Sequence, residues 1–365
     1  MKLECLKDKL KLVVGLIERI TGKNLSLPIL GAVLLEASDQ ALNLKATNLD
    51  VGVEISLATK VEKKGRAAVS GSVLSSFLQT VNGEVLRIEL AGNNLSLSTK
   101  NNSTVIKTFP VDDFPTIPRT ENSESFQIEN DKLVDGLGKV WYAASLSDMK
   151  PEISSIYVYA DGRELVFVAT DSFRLAEKRV DTKDELSFSP ILIPYRSAAE
   201  IIRLFENPKA VLSVSFDKNQ IAISGENIYF TSRLVGGAFP NYRQIMPTAK
   251  KCEAVILKKD LVSALKISNI FSDKLSQVSM KLFPDEPLFE ITSSNQDTGE
   301  SSTRLDAVLE GEKTEISFNA KYILDSFQSV AEDSVSLAFN GAGKPMVLKG
   351  IGNDSFKYLV MPINR

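Results

Sequence analysis

The chain has 365 residues, of which 43% are hydrophobic and 24% are charged, a composition typical of a folded protein with buried cores. At about 100–200 residues per domain, this length predicts two or three domains. Histidine is absent, which excludes Ser-His-Asp and Cys-His nucleophile sites and zinc sites with histidine ligands. The 43 basic and 46 acidic residues leave a net charge of −3, so bulk charge attracts neither nucleic acid nor an anionic membrane.

The two cysteines indicate a reduced, intracellular protein. Cys5 and Cys252 lie far apart and belong to no C-x-x-C pair, so neither a local zinc site nor a redox pair is predicted. The sequence has no apolar run long enough for a membrane span, and its first residues lack the layout of a signal peptide. We therefore expect a soluble cytoplasmic protein with no membrane partner.

A threefold internal repeat is the main feature of the sequence. Each repeat opens with an amphipathic helix, predicted over residues 7–20, 131–144 and 259–270. Pairs of strands follow these helices, and a second helix comes after each pair. The strand pairs are predicted over residues 32–36 and 42–47, 156–159 and 165–170, and 278–282 and 288–292, and the second helices over residues 73–81, 197–205 and 321–330.

The repeats are evenly spaced and end alike. Thr47, Thr170 and Thr292 close the second strand of each pair at nearly equal intervals. The repeats end in Thr108-Phe109-Pro110, Ala238-Phe239-Pro240 and Val360-Met361-Pro362. Prolines at the joints, over residues 114–118 and 239–247, favour fixed angles between neighbouring repeats because proline restricts both itself and the residue before it. These boundaries predict three domains, over residues 1–119, 120–246 and 247–365.

No motif of enzyme chemistry stands out. In Gly341-Ala342-Gly343-Lys344-Pro345, proline occupies the place of the hydroxyl residue that a P-loop requires. Adjacent Asp112 and Asp113 favour a solvated turn over a magnesium site. Asp171 is predicted to accept hydrogen bonds from turn amides or to pair with Arg174. Neither a metal nor a cofactor is therefore predicted.

Local charge offers a weak positive signal. Basic residues outnumber acidic ones in the first helix of repeats one and three, where they are Lys7, Lys9, Lys11, Arg19 and Lys23, and Lys258, Lys259, Lys266 and Lys274. Helices of this kind on one surface would contact phosphates without reading sequence. A solvated lysine face is the alternative interpretation.

Four motifs, together with the triplicated unit, resemble the beta subunits of bacterial DNA polymerase III, the sliding clamp family, over essentially the whole chain. The motifs are Leu27-Pro28-Ile29-Leu30-Gly31, Ala169-Thr170-Asp171-Ser172-Phe173-Arg174-Leu175-Ala176, Phe239-Pro240-Asn241-Tyr242 and Tyr358-Leu359-Val360-Met361-Pro362. The resemblance implies an α+β fold of three clamp-type domains, each with two helices packed on antiparallel sheets. It further implies a head-to-tail homodimer that forms a six-domain ring around duplex DNA.

The resemblance also implies the function and the partners. The chain would be a non-catalytic processivity factor without a cofactor, associated with the nucleoid, that binds duplex DNA regardless of sequence. Its protein partners would be the replicative DNA polymerase alpha subunit, the clamp loader and other proteins with clamp-binding motifs. A separate loader would hydrolyse ATP to open the ring, which agrees with the lack of a catalytic motif.

Three sets of site residues follow from the resemblance. The pocket for partner peptides would use Ile153, Thr170, Arg174, Leu175, Pro240, Ile245, Tyr322, Val360, Met361 and Pro362. The dimer interface would use Thr104 and Ile106 on one side and Ile270 and Phe271 on the other. The DNA-facing residues would be Lys23, Lys150 and Arg196. Ordinary core packing is the alternative for the pocket and interface residues.

Departures from the family pattern affect the expected specificity. Ser172-Phe173 stands where the family usually has Gly-His, and Gln244 replaces a commonly basic residue, so we expect a less polar pocket rim. Two rival functions stay open from the sequence alone. One is a nucleic-acid enzyme with magnesium on Asp112 or Asp171, and the other is a repeat scaffold that binds proteins without encircling DNA.

Overall fold

The computed structural model describes residues 1–22, 27–120, 124–205, 210–247, 249–286, 288–341 and 343–363. The helices in these ranges are α1 (Lys7–Ile17), α2 (Gly71–Thr80), α3 (Asn130–Gly138), α4 (Tyr195–Leu204), α5 (Lys258–Ile270) and α6 (Ala320–Ser326). None of these described helices is long and apolar enough to cross a membrane.

The strands are short and numerous. They are β1 (Lys2–Leu6), β2 (Ala32–Ser38), β3 (Ala41–Thr47), β4 (Val51–Ala58), β5 (Lys60–Lys63), β6 (Gly65–Ser70), β7 (Val85–Ala91), β8 (Asn94–Ser98), β9 (Ser103–Phe109), β10 (Glu124–Glu129), β11 (Ser155–Asp161), β12 (Glu164–Thr170), β13 (Arg174–Asp181), β14 (Ile191–Pro194), β15 (Val211–Phe216), β16 (Gln220–Ser224), β17 (Ile228–Arg233), β18 (Cys252–Leu257), β19 (Gln277–Phe283), β20 (Leu288–Asn295), β21 (Gly299–Leu305), β22 (Ala307–Gly311), β23 (Thr314–Asn319), β24 (Ser334–Phe339), β25 (Met346–Gly350) and β26 (Phe356–Val360).

The chain divides into two compact units. Unit 1 contains residues Met1–Asp131 and Glu200–Leu234, and its strands form one sheet in the order β10-β15-β16-β17-β4-β3-β2-β6-β9-β8-β7-β1-β5. Within this sheet β4, from the first repeat, pairs antiparallel with β17, from the second. The joint between these two repeats is therefore a continuous hydrogen-bonded ladder.

Unit 2 contains residues Lys132–Ala199 and Val235–Arg365 and has two sheets. The larger has the order β14-β11-β12-β13-β26-β25-β24-β18-β22, and the smaller has the order β21-β20-β19-β23. In the larger sheet β13, from the second repeat, pairs antiparallel with β26, from the third. The same kind of ladder thus joins the second and third repeats, and it ends where the predicted peptide pocket begins.

The predicted helices are confirmed in number and order, but three of them are shorter than predicted. α1 ends at Ile17 and is followed by one 3₁₀ turn. α3 ends at Gly138, and residues 141–143 form a separate 3₁₀ turn rather than more α-helix. α6 ends at Ser326, although Val330 beyond it is still buried. Apolar spacing reports burial, and buried turns continue that spacing beyond the last helical residue.

The spacing of the repeats is confirmed for the first strand of each pair, since β2, β11 and β19 begin at Ala32, Ser155 and Gln277. Thr47 and Thr170 end β3 and β12 as expected. The equivalence proposed for Thr292 is wrong, because β20 continues past this residue to Asn295. The third repeat therefore has a longer strand hairpin than the other two.

A tight turn joins β12 to β13. Asp171 Oδ1 accepts hydrogen bonds from the amides of Phe173 (2.9 Å) and Arg174 (3.0 Å), which confirms the turn role predicted for this carboxylate. Thr170 Oγ1 donates to the Arg174 carbonyl (2.6 Å) and accepts from the Ser172 amide (3.1 Å). The turn holds Ser172 at a φ of 78°, in the left-handed region that favours glycine.

The turn between β3 and β4 has the same pattern of hydrogen bonds. Asn48 Oδ1 accepts from the amides of Asp50 and Val51, while Thr47 Oγ1 donates to the Val51 carbonyl and accepts from the Leu49 amide. Leu49 takes the left-handed conformation, with a φ of 79°. Both turns begin with threonine followed by an Asx residue, because these two side chains satisfy the turn amides locally.

We predict that Ser172→Gly stabilises the protein. Relief of about 1–2 kcal/mol of left-handed strain should exceed the added backbone entropy of glycine, for a net gain of about 0.5–1 kcal/mol. Chemical denaturation followed by fluorescence would measure this change in the free energy of unfolding. As the matched control, Ser213→Gly in β15 lies outside the left-handed region and should destabilise the protein. A loss of stability in Ser172→Gly would contradict the prediction.

We also predict that both thiols are unreactive in the native protein. Cys5 and Cys252 are free and buried, and burial raises the pKa of the Cys5 thiol to about 12 and raises the pKa of Cys252. Only a trace of reactive thiolate would form at mildly alkaline pH. Mass spectrometry after iodoacetamide treatment should show no alkylation of the folded protein and alkylation of both residues in guanidinium chloride. Rapid labelling of the folded protein would contradict this.

Candidate functional site

The N-terminal end of β13 in unit 2 presents different residues on the two faces of the larger sheet. Successive side chains of a strand point to opposite faces, so Leu175 faces one way and Arg174 the other. The register pairs Leu175 with Leu359 of β26 and Arg174 with Val360. Two chemically distinct surfaces therefore meet where β12, β13 and β26 end.

An apolar cluster covers the Leu175 face. Leu175 packs with buried Tyr159, Val166, Val168, Tyr242 and Leu359, and with partly buried Tyr157, Phe239, Met246 and Val347. The segment 239–246 supplies three of these residues. Within it Phe239 stacks on Tyr157 at a centroid distance of 4.8 Å, while Pro240 and Ile245 stay exposed. The segment thus adds apolar surface beside the strand ends.

Arg174 organises the opposite face. Its guanidinium donates to Asp171 Oδ2 (2.9 Å), to Asp325 Oδ2 (2.5 Å) and to the Tyr142 carbonyl (2.8 Å), and it lies 4.7 Å from the ring centre of Tyr322. Two carboxylates compensate a cation whose side chain is only 11% exposed. Arg174 therefore ties the β12–β13 turn to α6.

Tyrosines complete that face. The Tyr358 hydroxyl donates to the Tyr322 carbonyl (2.8 Å), and the rings of Tyr142 and Tyr358 stack with a centroid distance of 6.2 Å. Burial raises the pKa of both Tyr142 and Tyr358 well above the usual value. Both hydroxyls therefore stay protonated and act as neutral packing groups.

The C-terminal segment closes the site. The Met361 amide donates to the Phe173 carbonyl (2.8 Å), and the Ile363 amide donates to the Ser317 carbonyl (2.8 Å). Met361 and Pro362 are half-buried, whereas Phe173 is 61% exposed. We call this region the strand-end site: the exposed or half-buried residues Phe173, Pro240, Ile245, Met361 and Pro362 over the buried residues Thr170, Leu175 and Leu359.

The predicted pocket residues all lie in unit 2 but differ in how far they are exposed. Ile153, Thr170, Leu175 and Val360 are buried, Arg174, Tyr322, Met361 and Pro362 are half-buried, and Pro240 and Ile245 are exposed. Within this set Val360 is fully buried beside Arg174, and its neighbour Leu359, which was not predicted, packs with Leu175. The sequence did not mark Leu359 as a neighbour of Leu175, because strand register decides which residues share a face. It also did not mark the exposed ring of Phe173, which depends on the geometry of the β12–β13 turn.

Two of the predicted DNA-facing residues are exposed. Lys150 lies in the loop before β11, and Arg196 is the second residue of α4. Arg196 donates to the Tyr195 hydroxyl (3.1 Å) and to Asp148 Oδ2 (3.2 Å), so its position is partly held. Lys23 lies outside the described residues. Lys150 and Arg196 share no hydrogen bond or ion pair with each other among the described residues.

The predicted dimer residues lie beside exposed strand edges. Thr104 and Ile106 belong to β9, whose residues 103–107 pair with β8 on one side only within the described chain. β21 is the last strand of the smaller sheet and pairs with β20 alone among the described strands. Ile270, which ends α5, is 66% exposed, and Phe271 is half-buried.

The residues of the rival enzyme hypothesis do not assemble into a site. The Asp112 side chain is almost fully exposed and lies 3.8 Å from Arg66, while both oxygens of Asp171 are engaged by turn amides and Arg174. Among the described residues, no group of three or more Cys, Asp or Glu side chains could hold a metal ion.

Comparison with family models covers nearly the whole chain. The N-terminal, central and C-terminal domain models of the DNA polymerase III beta subunit match residues 1–118, 127–241 and 243–364. The beta sliding clamp of Synechococcus elongatus is 25% identical over 100% of this chain and 99% of its own length. The beta sliding clamp of Buchnera aphidicola is 26% identical over 96% of each chain.

Solved structures share the fold. A DNA polymerase III beta subunit from Thermotoga maritima superposes with a TM-score of 0.94 at 23% identity, covering 100% of this chain and 99% of that one. A DnaN sliding clamp from Pseudomonas aeruginosa bound to griselimycin gives the same TM-score at 23% identity, covering 100% of both chains. The α+β architecture of three clamp domains is therefore confirmed, and the chain belongs to the DNA polymerase III beta subunit family, the non-catalytic sliding clamps that make DNA replication processive.

Proposed function

We propose that two copies of this chain join head to tail into a six-domain ring around duplex DNA. The ring tethers the replicative polymerase alpha subunit, the clamp loader and other clamp-binding proteins to DNA in the cytoplasm, at the nucleoid. The observation that carries the proposal is the presence of two half-paired strand edges, β9 in the first domain and β21 in the third. We place the domain boundaries at residues 119/120 and 246/247.

The two edges suit a head-to-tail contact between copies. An exposed strand edge carries free backbone donors and acceptors, which a strand of a second copy would satisfy. Exposed Val105 on β9 and exposed Ile270 beside the smaller sheet add apolar surface on the two sides. Because the contact joins different patches, each copy uses both edges once, and two copies leave neither edge bare.

The charge distribution fits a ring that slides. The net charge of −3 gives little overall attraction to DNA, while exposed Lys9 and Lys11 on α1 and Lys259 and Lys266 on α5 offer phosphate contacts. Lys150 and Arg196 would add further contacts. Topological enclosure prevents sideways dissociation, so weak, salt-sensitive contacts are sufficient and leave the protein mobile along the duplex.

We propose that the strand-end site binds short peptide segments of the partner proteins. Its surface combines the aromatic ring of Phe173, the aliphatic side chain of Ile245 and the flexible thioether of Met361, above the buried side chain of Leu175. Clefts with these side chains accept varied apolar anchors, and the few polar groups beside them orient the peptide. Griselimycin, which is bound by the Pseudomonas aeruginosa clamp, would occupy the same surface.

We predict that the loaded protein is held on DNA by topology. Labelled protein should stay on nicked circular plasmid in high salt after loading by its matching loader and ATP. A single restriction cut should then release it, because salt suppresses phosphate contacts but cannot open a closed ring. Gel filtration would count the bound protein before and after the cut. Equal retention on circular and cut DNA would indicate binding by contact alone.

The variant Ile270→Asp tests the ring itself. Ile270 is exposed, so the substitution should leave each copy folded while placing a charge in the proposed interface. Light scattering should show a monomer, and retention on circular plasmid should be lost. Ile351→Asp makes the same change at another exposed isoleucine and should leave the dimer intact. Wild-type protein that is monomeric at micromolar concentration would support a scaffold instead of a ring.

We predict that Met361→Ala weakens binding of griselimycin and of peptides from the polymerase alpha subunit. Loss of an apolar anchor from a contact centre should cost about 1–3 kcal/mol of binding free energy, or about 5- to 150-fold in affinity. Isothermal titration calorimetry would measure it. Met149→Ala, at a methionine that is 91% exposed, provides the control and should not change the affinity. Equal affinity of the two variants would remove Met361 from the site.

A further inference from the structure

We propose that Tyr242 and Glu177 are positioning residues of the strand-end site. Their buried hydrogen bond holds the segment 239–246 against the sheet and so sets where Pro240 and Ile245 meet a partner peptide. This inference rests on the proposed peptide-binding role of that site. It adds a residue pair that never touches the peptide but controls its affinity.

Glu177 is an acidic residue buried beside the apolar cluster that covers the Leu175 face of the sheet. It lies in β13 on the same face as Leu175, two residues further along, and is only 4% exposed. Its Oε2 accepts a hydrogen bond from the Tyr242 hydroxyl at 2.5 Å, and its Oε1 accepts one from Arg179 Nε at 3.3 Å. A carboxylate buried this deeply requires such partners, because an unpaired one would be strongly destabilising.

The Tyr242 hydroxyl is part of a short polar chain. The Tyr159 hydroxyl, 2.7 Å away, donates to it because the single Tyr242 proton goes to Glu177, and Tyr159 in turn accepts a hydrogen bond from Arg243 Nη2 at 2.9 Å. Burial raises the pKa of Tyr242, and the bond to Glu177 raises it further, so the hydroxyl stays protonated and donates. The chain links both β11 and β13 to the segment. Its bonds are directional, whereas the apolar contacts of the same cluster are not.

The segment has little structure of its own to resist movement. Residues Tyr242–Gln244 form a single 3₁₀ turn, closed by a bond from the Ile245 amide to the Tyr242 carbonyl at 3.1 Å. The Tyr242 amide donates to the Pro240 carbonyl at 2.7 Å. One such turn is too short to be stable alone. Pro240 and Ile245 lie on either side of Tyr242 in the segment. The attachment of Tyr242 to Glu177 therefore decides the position of both residues.

Tyr242 cannot act by touching a partner. It is only 4% exposed and its side chain packs into the buried cluster with Leu175, whereas Ile245 is 48% exposed. A change confined to the Tyr242 hydroxyl can therefore reach a ligand only through the placement of its neighbours. This property separates a positioning role from a binding role.

The test compares two variants that each lose one tyrosine hydroxyl. Tyr242→Phe removes the bonds to Glu177 and Tyr159 and keeps the ring, while Tyr229→Phe in unit 1 removes a bond to the Pro118 carbonyl. Full-length proteins are titrated with griselimycin by calorimetry, and amide exchange is followed over residues 242–246. We expect Tyr242→Phe to weaken binding about tenfold and to accelerate exchange in the segment, since a buried acceptor loses its donor. Tyr229→Phe should bind like the wild type.

A double variant separates positioning from general stability. Tyr242→Phe combined with Glu177→Leu removes both polar groups, and replacing both partners of a buried bond with apolar groups is often nearly neutral for stability. We expect thermal stability to recover relative to Tyr242→Phe while affinity stays about tenfold low. Glu177→Gln keeps an acceptor for Tyr242 and should bind within about threefold of the wild type.

The outcomes distinguish this inference from the proposed function. Unchanged affinity in Tyr242→Phe, or affinity that recovers together with stability in the double variant, would overturn the positioning role while leaving the strand-end site in place. Failure of the wild-type protein to bind griselimycin would overturn the peptide-binding role and, with it, this inference.

Discussion

The pairing of β13 with β26 is the contact on which the rest of the strand-end site depends. It sets Leu175 beside Leu359 and Arg174 beside Val360, and so brings the second and third repeats into one sheet. Alternation along the strand then sends the aliphatic pair to one face and the guanidinium to the other. A slip by one residue would exchange these faces, so the ladder defines the chemistry of the site as well as its shape.

Polar anchors hold both faces of this ladder. On one face Arg174 is bound by Asp171 and Asp325, and on the other Glu177 is bound by Tyr242. Buried charges contribute little net stability in general, because the loss of hydration offsets much of their attraction. Their value here is geometric, since each anchor attaches a chain segment to a strand at a defined point. The exposed apolar residues Phe173 and Ile245 lie beside these anchors, so they are held in place although they are not buried.

The small net charge of −3 agrees with a protein that encloses DNA in a ring. A protein that binds DNA by contact needs many phosphate contacts and becomes salt-dependent, whereas an enclosing ring needs few. Backbone hydrogen bonds join the repeats within each copy, through the β4–β17 and β13–β26 pairs. In the proposed ring the half-paired edges of β9 and β21 would use backbone hydrogen bonds as well. One kind of interaction, the antiparallel ladder, would thus join repeats within a chain and chains within a ring.

The sequence by itself determined the threefold repeat, the order of the six helices with a strand pair after the first helix of each repeat, and the lack of histidine-dependent or P-loop chemistry. These follow from local patterns, because apolar periodicity, turn residues and composition are visible within a short window. The motif around Thr170 even allowed the turn role of Asp171 to be predicted, since an Asx side chain satisfies the amides two and three residues ahead. Helix ends were less predictable, as α3 and α6 show, because buried turns continue the helical spacing.

Only the tertiary structure decided which residues share a face and which are accessible. Leu359 rather than Val360 lies with Leu175, and this depends on the register between strands that are remote in sequence. The bond between Glu177 and Tyr242 joins residues 65 positions apart, and nothing in the local sequence of either marks it. Local patterns record whether a residue is buried, but pairing across the chain fixes its neighbours, and the neighbours decide its chemistry.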